Sequence, residues 1–176
     1  MNLLLVIVVA ISLSMDAFSL ALAYGTINLD KKQNLYLSII VGIYHFFMPI
    51  IGFSIGKVIL NFININPDII VCIILIFIGI EMIFESFKKE EKVKKLNVLE
   101  MLIFGFAVSI DSFSVGIGIM AFHTNPILCF TIFSIASFMF TYFGLNLGKK
   151  INEIIGKMST IIGGIILIII GIIYII

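Results

Sequence analysis

Long apolar runs separated by short polar stretches fill this 176-residue chain, and a helix that crosses a bilayer needs ~20 such residues. Six runs reach or approach that length, over 3–24, 35–59, 69–87, 98–120, 126–147 and 159–176. They predict an all-α polytopic membrane protein with six transmembrane helices. The first run has no basic residue before it and is interrupted by Asp16, so it is expected to be a retained span rather than a cleaved leader.

The polar letters inside the runs repeat. Ser14-Met15-Asp16-Ala17-Phe18-Ser19 matches Ser109-Ile110-Asp111-Ser112-Phe113-Ser114 at an offset of 95. Gly52-Phe53-Ser54-Ile55-Gly56-Lys57 matches Gly144-Leu145-Asn146-Leu147-Gly148-Lys149 at an offset of 92, and the Ile-rich run 73–80 matches 165–172 at the same offset. Residues 1–87 and 98–176 are therefore expected to be two copies of one three-helix unit, joined by a charged loop over 88–97. An odd number of spans per copy turns the second copy upside down, giving inverted repeats of the kind that build alternating-access transporters.

Composition agrees with a membrane class. Hydrophobic residues make up 61% and charged residues 12%, with no Trp and a mean hydropathy of +1.26, which leaves no room for a separate soluble domain. The net charge of +1 carries no signal for nucleic acid. Its distribution is informative, because basic loops stay on the cytoplasmic side. Ten of the eleven lysines fall in the loops after spans 1, 3 and 5 or at their edges, and only Lys57 falls on the other side. The expected location is the cell membrane with both termini outside and the Lys88–Lys95 loop in the cytoplasm. Cys72 and Cys129 lie in apolar runs without Cys-x-x-Cys spacing and read as small core residues.

A carboxylate at the bilayer centre costs about 2.5–3.5 kcal/mol even on lenient insertion scales. Asp16 and Asp111 both fall within about 5 Å of the midplane at ~1.5 Å per residue. Ser12 and Ser19 share the face of Asp16, and Ser114 shares that of Asp111. Helix packing alone is served at lower cost by Ser or Asn, so the pair points to a bound cation or proton. In span 2, Pro49 removes the partner of the carbonyl four residues earlier, which belongs to His45. That residue offers an imidazole, a freed backbone oxygen, or only a hydrogen-bonded ring beside a kink. Glu81 and Glu85 stand one turn apart near the inner end of span 3. His123 reads as a surface residue of an outer loop. Carboxylates, hydroxyls and a carbonyl suit Mg, Ca or Mn, and an added imidazole tilts the set toward Mn²⁺. The chain has no Gly-x-x-x-x-Gly-Lys-Ser/Thr loop for ATP. What remains is a secondary transporter driven by proton exchange or membrane potential.

At these residues the sequence resembles the MntP family of manganese efflux pumps. The likeness runs through Ser14–Phe18, Gly25, Met48-Pro49-Ile50-Ile51-Gly52, Gly79 with Met82-Ile83 and Glu85, Ser109-Ile110-Asp111, Gly156-Lys157 and Gly163-Gly164. It implies six spans, manganese(II) as an exported substrate with no bound cofactor, and key acidic residues at Asp16, Asp111 and Glu85. With His45 these form the candidate metal set, and the bilayer and the ion are the expected partners. An intramembrane aspartyl protease also needs two membrane aspartates, but its Gly-x-Gly-Asp and Tyr-Asp contexts do not occur. An amino-acid exporter would need a deep cation for the substrate carboxylate, and no span carries one.

Overall fold

Hydrocarbon offers no water to backbone N–H and C=O groups, so apolar runs of this length close their hydrogen bonds internally as helices. The computed structural model describes residues 3–25, 29–62, 67–87, 97–119, 124–148 and 153–173, and among them there is no strand. Seven helices follow in order: α1 (Leu3–Gly25), α2 (Lys31–Phe62), α3 (Pro67–Glu85), α4 (Val98–Val108), α5 (Ile110–Gly118), α6 (Pro126–Leu147) and α7 (Glu153–Ile173). By length and composition α1, α2, the α4–α5 pair and α6 can each cross a membrane, while α3 and α7 contribute the shorter apolar segments Cys72–Phe84 and Thr160–Ile173.

Several helix starts are written in local chemistry. Asp30 accepts a hydrogen bond from the Gln33 N–H at 2.7 Å and the Gln33 side chain accepts one from the Asp30 N–H at 3.1 Å. This capping box starts α2 four residues before the expected 35. Asn97 and Glu100 form a second box on α4. Asn125 accepts from the Ile127 N–H with Pro126 in the first turn of α6.

The fourth expected span stands as one apolar segment over Val98–Gly118, but its helix breaks at Ser109, two residues before Asp111. The Ser109 backbone leaves the helical region with φ −105° and ψ 6°. Its hydroxyl donates to the carbonyls of Gly105 (2.8 Å) and Phe106 (3.1 Å), and the Ser112 hydroxyl donates to the Ser109 carbonyl (2.7 Å). Serine side chains thus satisfy backbone groups that a break in hydrocarbon would otherwise orphan.

The bundle is apolar outside, and its largely apolar interior also holds a set of buried polar side chains. Phe77 and Phe84 are 64% and 70% exposed while His45 is fully buried, the reverse of a water-soluble core. Cys72 and Cys129 are buried and free. The two halves of the chain interleave: α1 packs on α6 and α7, α2 on α4, α5 and α6, and α3 on α5 and α7. Apart from the consecutive α4 and α5, helices of one half make no substantial contact with each other among the described residues. The contacts between halves are reciprocal. A Cβ at Gly52 would land on the Phe113 carbonyl, and one at Gly144 on the Phe18 carbonyl; Gly56 faces the Ile117 carbonyl, and Gly148 the Leu22 carbonyl. Small residues let these backbones touch.

Candidate metal site

Asp16 lies on α1, which runs unbroken through the aspartate motif, and is half-buried. Ser12 and Ser14 donate to the carbonyls one turn back, at 2.9 and 2.7 Å. The Ser14 hydroxyl also lies 3.1 Å from that of Ser137 on α6. Ser14 has one proton and gives it to Ala10, so Ser137 donates and Ser14 accepts. Beside Asp16, Gly163 of α7 comes against the Ser12 carbonyl and the Met15 side chain.

Asp111 sits in the first turn of α5, where the break turns the start of a helix toward it. Its Oδ1 accepts the Ser112 N–H at 2.6 Å, and the positive end of the short helix favours the carboxylate. The same oxygen lies 3.9 Å from Nε2 of His45, with the two side chains 14% and 0% exposed.

His45 is oriented by its other nitrogen. Nδ1 lies 3.0 Å from the Val41 carbonyl, which can only accept, so Nδ1 carries the proton. Nε2 of the neutral ring is then an acceptor, and it has no hydrogen-bond partner among the described residues. A ring N–H anchored on a backbone carbonyl is the usual support for an imidazole ligand, and here the opposite lone pair faces the Asp111 carboxylate. A gap of 3.9 Å between nitrogen and oxygen has room for an ion with bonds near ~2.1 Å to each.

Pro49 is buried four residues on, within an α2 that runs through it. A Cβ at Gly116 of α5 would meet the Pro49 carbonyl oxygen and Cα, so the two backbones are in contact there. That contact holds His45 and Asp111 in register.

The structure brings together two of the four expected ligands, His45 and Asp111. Asp16 stands in a different helix group, between α6 and α7. Among the described residues no three of His, Cys, Asp and Glu gather around one point. The side chain of Glu85 lies outside the described residues, as do His123 and the Lys88–Lys95 loop. Glu81 is exposed on α3 rather than turned into the bundle. Ser137 and Thr141 of α6 are also buried, and neither stands out in the sequence as a carboxylate does. Ser134, Ser137 and Thr141 recur at i, i+3 and i+7 on an otherwise apolar helix, a face that spacing could have shown.

Comparison with known proteins gives a consistent result. The protein family Mntp, described as "Putative manganese efflux pump", matches residues 28–175. A protein of Bacillus pumilus named "Putative manganese efflux pump MntP" is 34% identical over 153 residues, covering 86% of this chain and 83% of that protein. One of the same name from Methanobrevibacter smithii is 36% identical over 159 residues, covering 88% and 86%. These relatives are named as pumps, not enzymes. No solved structure matches the chain.

Proposed function

This chain belongs to the Mntp family, and from that premise we propose that it exports manganese(II) across the cell membrane as a secondary transporter. The observation that carries the site is the buried pair of His45 Nε2 and Asp111 Oδ1 facing across 3.9 Å. One imidazole nitrogen with hard oxygens suits Mn²⁺ better than Mg²⁺ or Ca²⁺, and the set includes no thiolate for copper. Asp16 supplies the second carboxylate, so that two negative charges balance the ion. Ser137 extends its side of the site with a hydroxyl. Glu85, at the inner end of α3, is the proposed acidic group on the cytoplasmic approach.

The halves 1–87 and 98–176 are proposed as inverted repeats, with 88–97 as the cytoplasmic connection and both termini outside. The reciprocal glycine contacts support this reading, because Gly52 on Phe113 and Gly144 on Phe18 are repeat-equivalent pairs. In an alternating-access cycle the two halves exchange roles about the midplane. The asymmetry between a broken span 4 and an unbroken α1 fits one end of such a cycle. Ser14 donates to the Ala10 carbonyl as Ser109 donates to that of Gly105, so α1 carries the same device at the equivalent place.

Elemental analysis of cells lacking or overproducing the protein under added manganese tests the reading. Manganese content should rise in the first and fall in the second, with iron, zinc and magnesium unchanged. Unaltered manganese in both strains rejects it. A narrower measurement addresses the ring of His45. His45→Gln is expected to cut manganese efflux about tenfold, the size of effect seen when a ligand or its support is lost, and to raise competition by Mg²⁺. Efflux from preloaded vesicles that is unchanged in this variant would remove the imidazole from the site.

A further inference from the structure

Between α2 and α6 runs a line of buried polar side chains that reaches from one end of the bundle to His45. Asn34 is 1% exposed and its Nδ2 lies 3.4 Å from Oδ1 of Asn146, which is exposed at the mouth of the seam. Ser38 follows one turn on and is fully buried, and the next turn brings Gly42, whose carbonyl accepts the Ser134 hydroxyl at 2.8 Å. The pairs 34·146 and 42·134 fix α2 and α6 as antiparallel neighbours, which sets Thr141 near the level of Ser38 and Ser137 between Ser38 and Gly42, about one turn short of His45. Asn34 and His45 are eleven residues apart, about 16 Å at the rise of a helix. That is about half the hydrocarbon thickness.

Three buried atoms on this line have no hydrogen-bond partner among the described residues: Asn34 Oδ1, Thr141 Oγ1 and His45 Nε2. Orphaned polar atoms in an apolar interior are costly, and a seam meant only for packing would be Ala, Val or Leu.

The opposite end shows the contrast. At the offset of 92, Asn34 and Ser38 correspond to Pro126 and Phe130, and Leu145 and Asn146 to Phe53 and Ser54. There Phe130 meets Phe46 and Phe53 edge-on, with ring centres 6.3 and 6.0 Å apart, and Phe133 is buried beside them. Along the α2–α6 seam the buried Asn34 and Ser38 at one end stand where the other end has Pro126 and the buried Phe130.

We propose that the α2–α6 seam from Asn34 and Asn146 through Ser38 and Thr141 to His45 is the path by which the cation reaches the midplane. It opens at the end bearing Lys31 and Lys32, and the cluster of Phe46, Phe53, Phe130 and Phe133 closes the other end. The carbonyl-type and hydroxyl oxygens on the path are hard ligands that replace water on a divalent ion. This rests on the manganese-export reading for the identity of the ion, but not for the route.

The test uses the full chain in inside-out vesicles, with Mn²⁺ uptake and thermal melting of the purified protein as the two readouts. Thr141→Val keeps the shape and removes the orphan oxygen. Uptake is expected to fall about tenfold while the melting temperature stays level or rises; a hydroxyl that only supports the fold would lower melting instead. Accessibility gives a second measurement that needs no transport. With Cys72 and Cys129 replaced by Ala, Ser38→Cys is expected to react with an impermeant thiol reagent from the side on which a Lys92→Cys control reacts, and to be protected by Mn²⁺. Phe130→Cys should be inert from that side. Wild-type vesicles that take up no manganese reject the export reading and leave the accessibility result to judge the route. Normal uptake in Thr141→Val, or a Ser38→Cys that fails to react from the lysine-rich side, overturns the proposed path.

Discussion

Asp16→Asn and Asp111→Asn are each expected to abolish manganese export while leaving the protein folded in the membrane. Asparagine keeps the size of the side chain and an oxygen acceptor. At position 111 that oxygen can still take the Ser112 N–H, now bonded at 2.6 Å. What is lost is the charge. Removing the carboxylate partner of a buried cation costs about 3–5 kcal/mol, which corresponds to roughly 10²- to 4 × 10³-fold in affinity at about 1.4 kcal/mol per tenfold. For Asp111 the loss also strips the carboxylate from the His45 ring 3.9 Å away. Asp16 lies on an unbroken helix with no backbone break to stabilise, so its variant should fold with the least disturbance. The measurement is manganese tolerance together with the amount of protein in the membrane fraction. Retained tolerance in either variant would return that aspartate to a packing role.

The second large effect concerns the glycines at which the halves touch. A Cβ at Gly52 would overlap the Phe113 carbonyl oxygen, 3.0 Å from its carbon and 3.2 Å from Gly116 Cα. All three are backbone atoms and none can swing aside, so α2 and α5 must separate. Alanine gains about 1 kcal/mol in helix propensity over glycine, against about 1–3 kcal/mol or more for overpacking. Gly52→Ala is therefore expected to lower the melting temperature in detergent and to disturb the His45–Asp111 register two turns away along α2. Gly144→Ala should act in the same direction but more weakly, since its Cβ would meet the Ala21 side chain and the Phe18 carbonyl at 2.8 Å. Unchanged melting in Gly52→Ala would mean that α2 and α5 are not in backbone contact.

Much of the architecture could be read from the chain alone. Runs of apolar residues fixed the order of the helices, and Asp30 with Gln33, Asn97 with Glu100, and Asn125 before Pro126 mark three of their starts through local hydrogen bonds. Asp16 and Asp111 stood out because each is a carboxylate in an apolar run, a cost visible without coordinates. His45 was legible as a residue with two candidate donors, not as a ring whose Nδ1 is held by Val41.

The rest depended on tertiary structure. A helix surrounded by lipid is apolar on its outer face as well as at its contacts, so no stripe in the sequence tells which neighbour it meets. That α1 packs on α6 and α7, and α2 on α4, α5 and α6, is settled by where glycines and small side chains admit a second backbone. The break at Ser109 was equally hidden, because Ser14 occupies the matching place in an unbroken α1 and makes the same bond to the carbonyl four residues back. The copies differ one turn on, where Ser112 donates to the Ser109 carbonyl and α1 has Ala17 instead. The sequence by itself determined which residues form helices in a membrane and which carboxylates they carry there; only the tertiary structure decided where a helix opens, that His45 faces Asp111, and which hydroxyls are left without partners.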